Sequence, residues 1–135
     1  MRLSRFLLCG ALAGAACAGT ERYEPPARTD AVRAEEARVA ALVADQQRWP
    51  GRARPSCAVR VLGIDGPTSY AWADCSVPAS GDAPSGGWSA PYRIEGTTVR
   101  GPADGAGYAA SVRELFPEPL AEAILDHRAD LRPAP

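Results

Sequence analysis

The cysteines carry the clearest chemistry in this sequence. There are four of them, Cys9, Cys17, Cys57 and Cys75. The last two flank Asp65-Gly66-Pro67-Thr68, a strong turn signal between two strand-like runs. Cys57 and Cys75 are equidistant from Gly66, so a hairpin centred there places them opposite each other, within the Cα separation that a disulfide accepts. The spacing therefore predicts a Cys57–Cys75 disulfide and a domain that folds in an oxidising compartment.

The N-terminus has the pattern of a signal peptide. Met1–Arg5 is positively charged, and the apolar run Phe6–Ala16 is shorter than the roughly 20 residues of a membrane-spanning helix. Leu12-Ala13-Gly14-Ala15-Ala16-Cys17 resembles the lipobox of bacterial lipoproteins, although Gly14 stands where that motif usually has an aliphatic residue. The resemblance implies cleavage before Cys17 and lipidation of its thiol.

A second cleavage site competes with the lipobox. Ala16-Cys17-Ala18 matches an ordinary signal-peptidase site, which would release a chain beginning at Gly19. A Cys57–Cys75 disulfide would leave Cys17 as a lone thiol in an oxidising compartment. Lipidation removes that thiol, and so does cleavage after Ala18. We favour a protein anchored in a membrane by a lipid on Cys17, with a freely secreted or periplasmic protein as the alternative.

Residues suited to catalysis are few. His127 is the only histidine, and Asp74 lies in a predicted strand that has no other charge. We expect His127 to be a structural residue and Asp74 to pair with an arginine such as Arg60. The chain has no Gly-x-Ser-x-Gly elbow and no lysine for a phosphate-binding loop. One histidine and two disulfide-bonded cysteines are too few soft ligands for zinc or copper, so we predict no catalytic residue, metal or cofactor.

Charge argues against a nucleic-acid partner. The formal net charge is -1, and a mildly acidic chain lacks the basic face that binds phosphate backbones. Arg48, Arg52 and Arg54 do cluster around Trp49-Pro50-Gly51. That pattern is typical of a solvated loop after a helix.

Periodicity and turn signals predict one α+β domain. Its parts are an N-terminal helix, a four-stranded antiparallel sheet formed by two hairpins, and two short C-terminal helices packed on one face. The predicted segments are a helix from the cap at Thr29 or Asp30 to about Arg48, strands Cys57–Ile64, Ser69–Val77, Trp88–Ile94 and Thr97–Arg100, a helix through Tyr108 and Phe116, and a helix after Pro117 with Leu120, Ile124, His127 and Leu131 on one side. The predicted divisions are a signal peptide 1–16, a flexible tether 17–29, the domain 30–131 and a frayed tail 132–135.

The hairpin register sorts the strand residues by face, because side chains alternate along a strand. One face is small and apolar, so that a helix could cover it closely: Cys57, Val59, Val61, Ala71, Ala73 and Cys75. On the other face Arg60 lies opposite Trp72, as a cation–π pair, and Leu62 lies opposite Tyr70. Such an aromatic face is more often a second core layer than a ligand platform. The residues kept as a possible ligand or partner surface are Trp72, Tyr70, Asp74, Arg60 and Trp88.

Three tracts of the chain resemble a known group of proteins. They are Ser69-Tyr70-Ala71-Trp72-Ala73-Asp74-Cys75, Ser89-Ala90-Pro91, and Tyr108 with Val112-Arg113-Glu114-Leu115-Phe116-Pro117. They are similar to small exported proteins of unknown function from high-GC bacteria. The resemblance implies the fold and the export, and it brings no catalytic residue.

Three functions follow from these observations. The leading hypothesis is a non-enzymatic envelope lipoprotein or secreted module that binds a protein or a cell-wall component. The second is an exported hydrolase inhibitor that presents the Gly/Ser/Pro/Asp-rich loop 78–87, which we expect to be exposed and mobile. The third is a small hydrolase that works through Asp74 or His127.

Overall fold

The domain consists of one long helix, four strands and two short helices, in that order. A computed structural model describes residues 21–135, so the predicted signal peptide and Cys17 lie outside the described residues. The elements are α1 (Asp30–Gln46), β1 (Ser56–Asp65), β2 (Thr68–Val77), β3 (Gly86–Glu95), β4 (Thr98–Arg100), α2 (Tyr108–Leu115) and α3 (Glu118–Leu125), with single 3-10 turns at Gly105–Gly107 and Ala129–Leu131. This order confirms the α+β fold.

The first helix starts at a capping residue. Thr29 is its N-cap, with the side-chain oxygen accepting a hydrogen bond from the Val32 amide at 3.3 Å. The helix ends at Gln46, two residues before the predicted end, and Trp49 then begins a loop that leads into β1.

The sheet is an antiparallel meander in the order β1-β2-β3-β4, and helices cover both of its faces. The small apolar face packs against Val39 and Val43 of α1. The opposite face, with Leu62 and Trp72, packs against the two C-terminal helices, which lie on one face as predicted. Both faces of the central strands are therefore buried, and the core has two halves.

The disulfide between Cys57 and Cys75 is present, and it indicates an extracellular or periplasmic location. The predicted register is confirmed from Ser56↔Ser76 to Val61↔Ala71. Beyond Val61 the register shifts by one residue, so Tyr70 pairs with Gly63, and the predicted pairing of Tyr70 with Leu62 was wrong.

The shift arises because the turn is shorter than predicted. Asp65 pairs with Thr68, which leaves a two-residue loop of Gly66 and Pro67. Gly66 has φ +57°, and such tight loops favour glycine for this reason. A two-residue loop and the disulfide demand registers that differ by one residue, and the bulge at Leu62 absorbs the difference.

The second hairpin is asymmetric. Its turn lies at Gly96 and Thr97, one residue later than predicted, and β4 pairs only with Arg93–Glu95 of β3. Pro91 lies beyond that pairing, so its missing N–H costs no ladder hydrogen bond on the β4 side.

Residues 21–29, which the sequence assigns to a tether, make specific contacts with the domain. The Tyr23 hydroxyl donates a hydrogen bond to the Leu62 carbonyl, and burial raises the pKa of Tyr23 to about 12. Arg128 stacks over the Tyr23 ring and donates to the Tyr23 carbonyl at 2.7 Å. The described part of the predicted tether is thus held at Tyr23.

We predict that the disulfide supplies a large share of the stability. The double variant Cys57→Ser/Cys75→Ser should lose about 3 kcal/mol of unfolding free energy, because the bond closes a chain loop that is otherwise free in the unfolded state. Urea unfolding followed by circular dichroism measures the difference. The wild type in reductant should match the variant, and equal midpoints for oxidised wild type and variant would contradict the prediction.

Candidate functional site

Trp72 belongs to the core. Its side chain is 6% exposed and packs in the cluster that contains Val112 and Ile124. The predicted cation–π pair of Trp72 with Arg60 is wrong. Among the described residues the arginine over the ring is Arg132, whose guanidinium carbon lies 5.4 Å from the Trp72 ring centroid. The structure therefore confirms the aromatic face as a core layer, and it brings Arg132, from the predicted frayed tail, onto that layer.

Asp74 has a different partner from the predicted one. Ser89 lies directly across from Asp74 in the β2–β3 ladder, and its hydroxyl donates to Asp74 Oδ1. The Trp72 indole N–H in turn donates to Ser89 Oγ at 2.7 Å. The expected ion pair of Asp74 with Arg60 is replaced by this chain of hydrogen bonds, which satisfies the buried indole N–H.

Tyr70 is shared between the core and the surface. Its ring lies 5.9 Å from that of Phe116, and the guanidinium carbon of Arg93 stands 6.0 Å from its centroid. Tyr70, Trp72 and Asp74 thus lie together along β2, and Arg60 lies across from Trp72 on β1 as predicted. Trp88, which the sequence grouped with them, packs against the cluster on the other face of the sheet.

His127 forms the end of α3 and not part of its apolar side. The helix stops at Leu125, and exposed His127 has φ +55°. The His127 amide donates to the Ile124 carbonyl and the Arg128 amide to the Ala123 carbonyl, which is the Schellman pattern of a helix C-terminus. The predicted place of His127 on a helical stripe is wrong.

Trp88 forms an aromatic site with a residue that the sequence analysis left in a loop. The Trp88 ring centroid lies 5.7 Å from that of Trp49, and Trp49 is 40% exposed. The Trp88 indole N–H donates to the Tyr92 hydroxyl at 2.9 Å, and burial raises the pKa of Tyr92, so that the phenol stays neutral. A cavity of about 250 Å³ adjoins the pair, lined by Gln46, Gln47, Arg48, Trp49, Trp88 and Tyr92. We call these six residues the tryptophan site.

Arg52 holds the tryptophan site to the loop between β2 and β3. Its guanidinium carbon stands 5.7 Å from the Trp49 ring centroid, and its Nη2 donates to the carbonyls of Pro78 and Pro84 at 3.1 and 2.6 Å. The loop is 78–85, shorter than the predicted 78–87, because β3 begins at Gly86. Arg52, predicted to be a solvated residue, is a structural bridge.

Glu36 is a functional-site candidate that the sequence did not single out. The side chain is buried, with the residue 6% exposed. One carboxylate oxygen accepts from the Val61 amide at 3.1 Å, and the other accepts from Arg28 Nη2 at 2.6 Å. The spacing with Val32, Val39 and Val43 places Glu36 on the apolar stripe, and this signal was available in the sequence.

The comparisons with known proteins found no match. No protein-family model, no curated protein and no solved structure matches it. Residues 21–135 contain no helix long and apolar enough to cross a membrane. In the same part of the chain no three or more His, Cys, Asp or Glu residues come together as metal ligands.

We predict that Glu36 stabilises the fold through its acceptor oxygens more than through its charge. Glu36→Ala should cost about 2 kcal/mol, because the buried Val61 amide loses its partner. Glu36→Gln keeps an acceptor for that amide and should lose about half as much. Exposed Glu114 is the matched control, and Glu114→Ala should change the unfolding free energy by less than about 0.5 kcal/mol. Equal losses for the alanine and glutamine variants at Glu36 would refute the prediction.

Proposed function

We propose that this protein is an exported, non-enzymatic binding module of the cell envelope, and that the tryptophan site binds the glycan of the cell wall. The observation that carries the proposal is the pairing of half-exposed Trp49 with Trp88 beside a cavity. Indole rings offer flat apolar surface on which the C–H face of a sugar ring packs. Large apolar contact at low cost in side-chain entropy makes tryptophan a frequent binding residue.

The polar groups around the cavity suit hydroxyl-rich ligands. Gln47 and Arg48 line it beside the two rings and offer amide and guanidinium hydrogen bonds. The volume, about 250 Å³, lies just below the usual range of about 300–1,000 Å³ for ligand pockets and suits one ring-sized group of a longer chain. A site that is part aromatic and part polar is the usual composition of small-ligand pockets.

Contacts on three sides hold the tryptophan site rigid. Rigidity favours binding, because the site loses little conformational entropy when a ligand binds. Tyr92 fixes the Trp88 indole, Arg52 covers Trp49, and Gln46 binds the edge of β4 by accepting from the Val99 amide at 3.3 Å. Tethering through a lipid on Cys17 would hold the module close to the wall. The intact mass of the native protein tests that tether, since a chain beginning at Gly19 would exclude it.

We predict that the mature protein binds purified cell-wall glycan chains and that Trp49→Ala weakens this binding about tenfold or more. Isothermal titration calorimetry measures the affinity without relying on indole fluorescence. Ile64→Ala is the matched control, because Ile64 is also an exposed apolar residue but lies at the end of β1. It should leave the affinity unchanged. The proposal fails if wild type does not bind glycan or if both variants bind equally.

A specific observation also supports a second function, the inhibition of a hydrolase by the loop 78–85. Ser80 and Ala83 exchange two backbone hydrogen bonds of 3.0 Å, and Arg52 fixes both ends of the loop. A preordered, exposed loop loses little entropy when it enters an enzyme cleft. Inhibition of an exported hydrolase that disappears in Arg52→Ala would support this function. Absence of inhibition across a broad hydrolase panel at micromolar concentration would exclude it.

A further inference from the structure

Part of the outer edge of β1 is open. In the described chain β1 pairs with β2 alone, so its other edge presents unpaired backbone groups. Toward its C-terminal end this edge is occupied, because Glu36 accepts from the Val61 amide and Tyr23 donates to the Leu62 carbonyl. The preceding residues, Cys57–Arg60, instead line a groove of about 320 Å³.

The backbone groups of Cys57 and Val59 face outward along this edge. The Cα atoms of Cys57 and Cys75 are 4.1 Å apart, a separation that belongs to pairs without mutual ladder hydrogen bonds. Such pairs alternate, so the N–H and C=O groups of Cys57, Val59 and Val61 all point away from β2. The bond from the Val61 amide to Glu36 agrees with this alternation. An added strand could therefore bond to Cys57 and Val59 and would end at Glu36.

The groove has small walls. On one side stand Ala37 and Ala40 of α1, and on the other Pro133 and Ala134 of the C-terminal tail. Short side chains on both sides leave room for a peptide backbone beside the strand. The open stretch is about four residues long, or roughly 13 Å at the rise of a strand.

The arginines that line the groove indicate what kind of partner would fit it. Arg60 lines it, and its Nε is buried with no hydrogen-bond partner among residues 21–135. Arg28 lines the same groove and forms an ion pair with Glu36. A buried guanidinium N–H without an acceptor is unfavourable, and a carboxylate supplies the strongest acceptor.

We propose that an extended peptide carrying an acidic side chain adds as a fifth strand to β1 at Cys57–Arg60, with its carboxylate on Arg60. Main-chain hydrogen bonds to Cys57 and Val59 would provide affinity, and Arg60 would select for the acidic residue. This interaction is independent of glycan binding, since it uses a different edge and different residues from the tryptophan site.

The test uses the mature, oxidised protein and a blocked hexapeptide of alternating valine and glutamate. Amide hydrogen exchange measured by NMR should slow at Cys57 and Val59 when the peptide is added. A peptide of the same sequence with alternate backbone nitrogens methylated on its pairing edge should give no protection, because it cannot complete the ladder. Unchanged exchange at Cys57 and Val59, or equal protection by the methylated peptide, would overturn the proposal.

Arginine variants test the charge selection. Arg60→Gln should weaken peptide binding about tenfold, since it removes the charged partner of the carboxylate. Arg113→Gln is the matched control on α2, where Arg113 is exposed and paired with Glu122, and it should leave binding unchanged. Equal affinities of the two variants would overturn the proposed role of Arg60. Protection of Cys57 and Val59 without peptide would show that the chain itself or a second copy covers the edge, and would also overturn the proposal.

Discussion

The register between β1 and β2 is the constraint on which the rest of the domain depends. Side chains alternate along a strand, so a slip of one residue would exchange the two faces and expose the core. The Cys57–Cys75 bond fixes the register at the open end of the hairpin. The two-residue turn fixes a register one residue away, and the bulge at Leu62 reconciles them. Leu62 itself packs in the core cluster of the C-terminal helices.

The two faces that this register creates have different side-chain sizes, and each takes the helix that fits it. Alanine and cysteine residues on one face allow α1 to lie close to the sheet. Close contact also lets polar residues of α1 reach both edges: Glu36 binds the Val61 amide of β1, and Gln46 binds the Val99 amide of β4. One helix therefore packs the sheet and satisfies edge amides at either side of it.

The use of Trp72 in the core determines where a binding surface can lie. Its indole N–H is satisfied through Ser89, and Asp74 completes that chain, so these polar groups are engaged in structure. The exposed aromatic surface lies instead on the face of the sheet that α1 covers, where Trp49 contacts Trp88. The open part of the β1 edge lies apart from it. The two proposed binding surfaces, one aromatic and one formed by backbone, therefore lie apart on this small domain.

The sequence by itself determined the disulfide, most of the β1–β2 register, a helix start at Thr29 or Asp30 and the α+β element order. These depend on residues close in the chain, where turn chemistry, cysteine spacing and periodicity act locally. Of the tryptophan site the sequence singled out Trp88, but not its partner Trp49. Only the tertiary structure decided that Trp49 meets Trp88, that Arg132 replaces Arg60 on Trp72, and that Asp74 binds Ser89. Those contacts join segments that are far apart in the chain, and the packing of the whole sheet decides which of them meet. The sequence also holds many arginines, so it does not show which of them lies over a given aromatic ring or beside a given carboxylate.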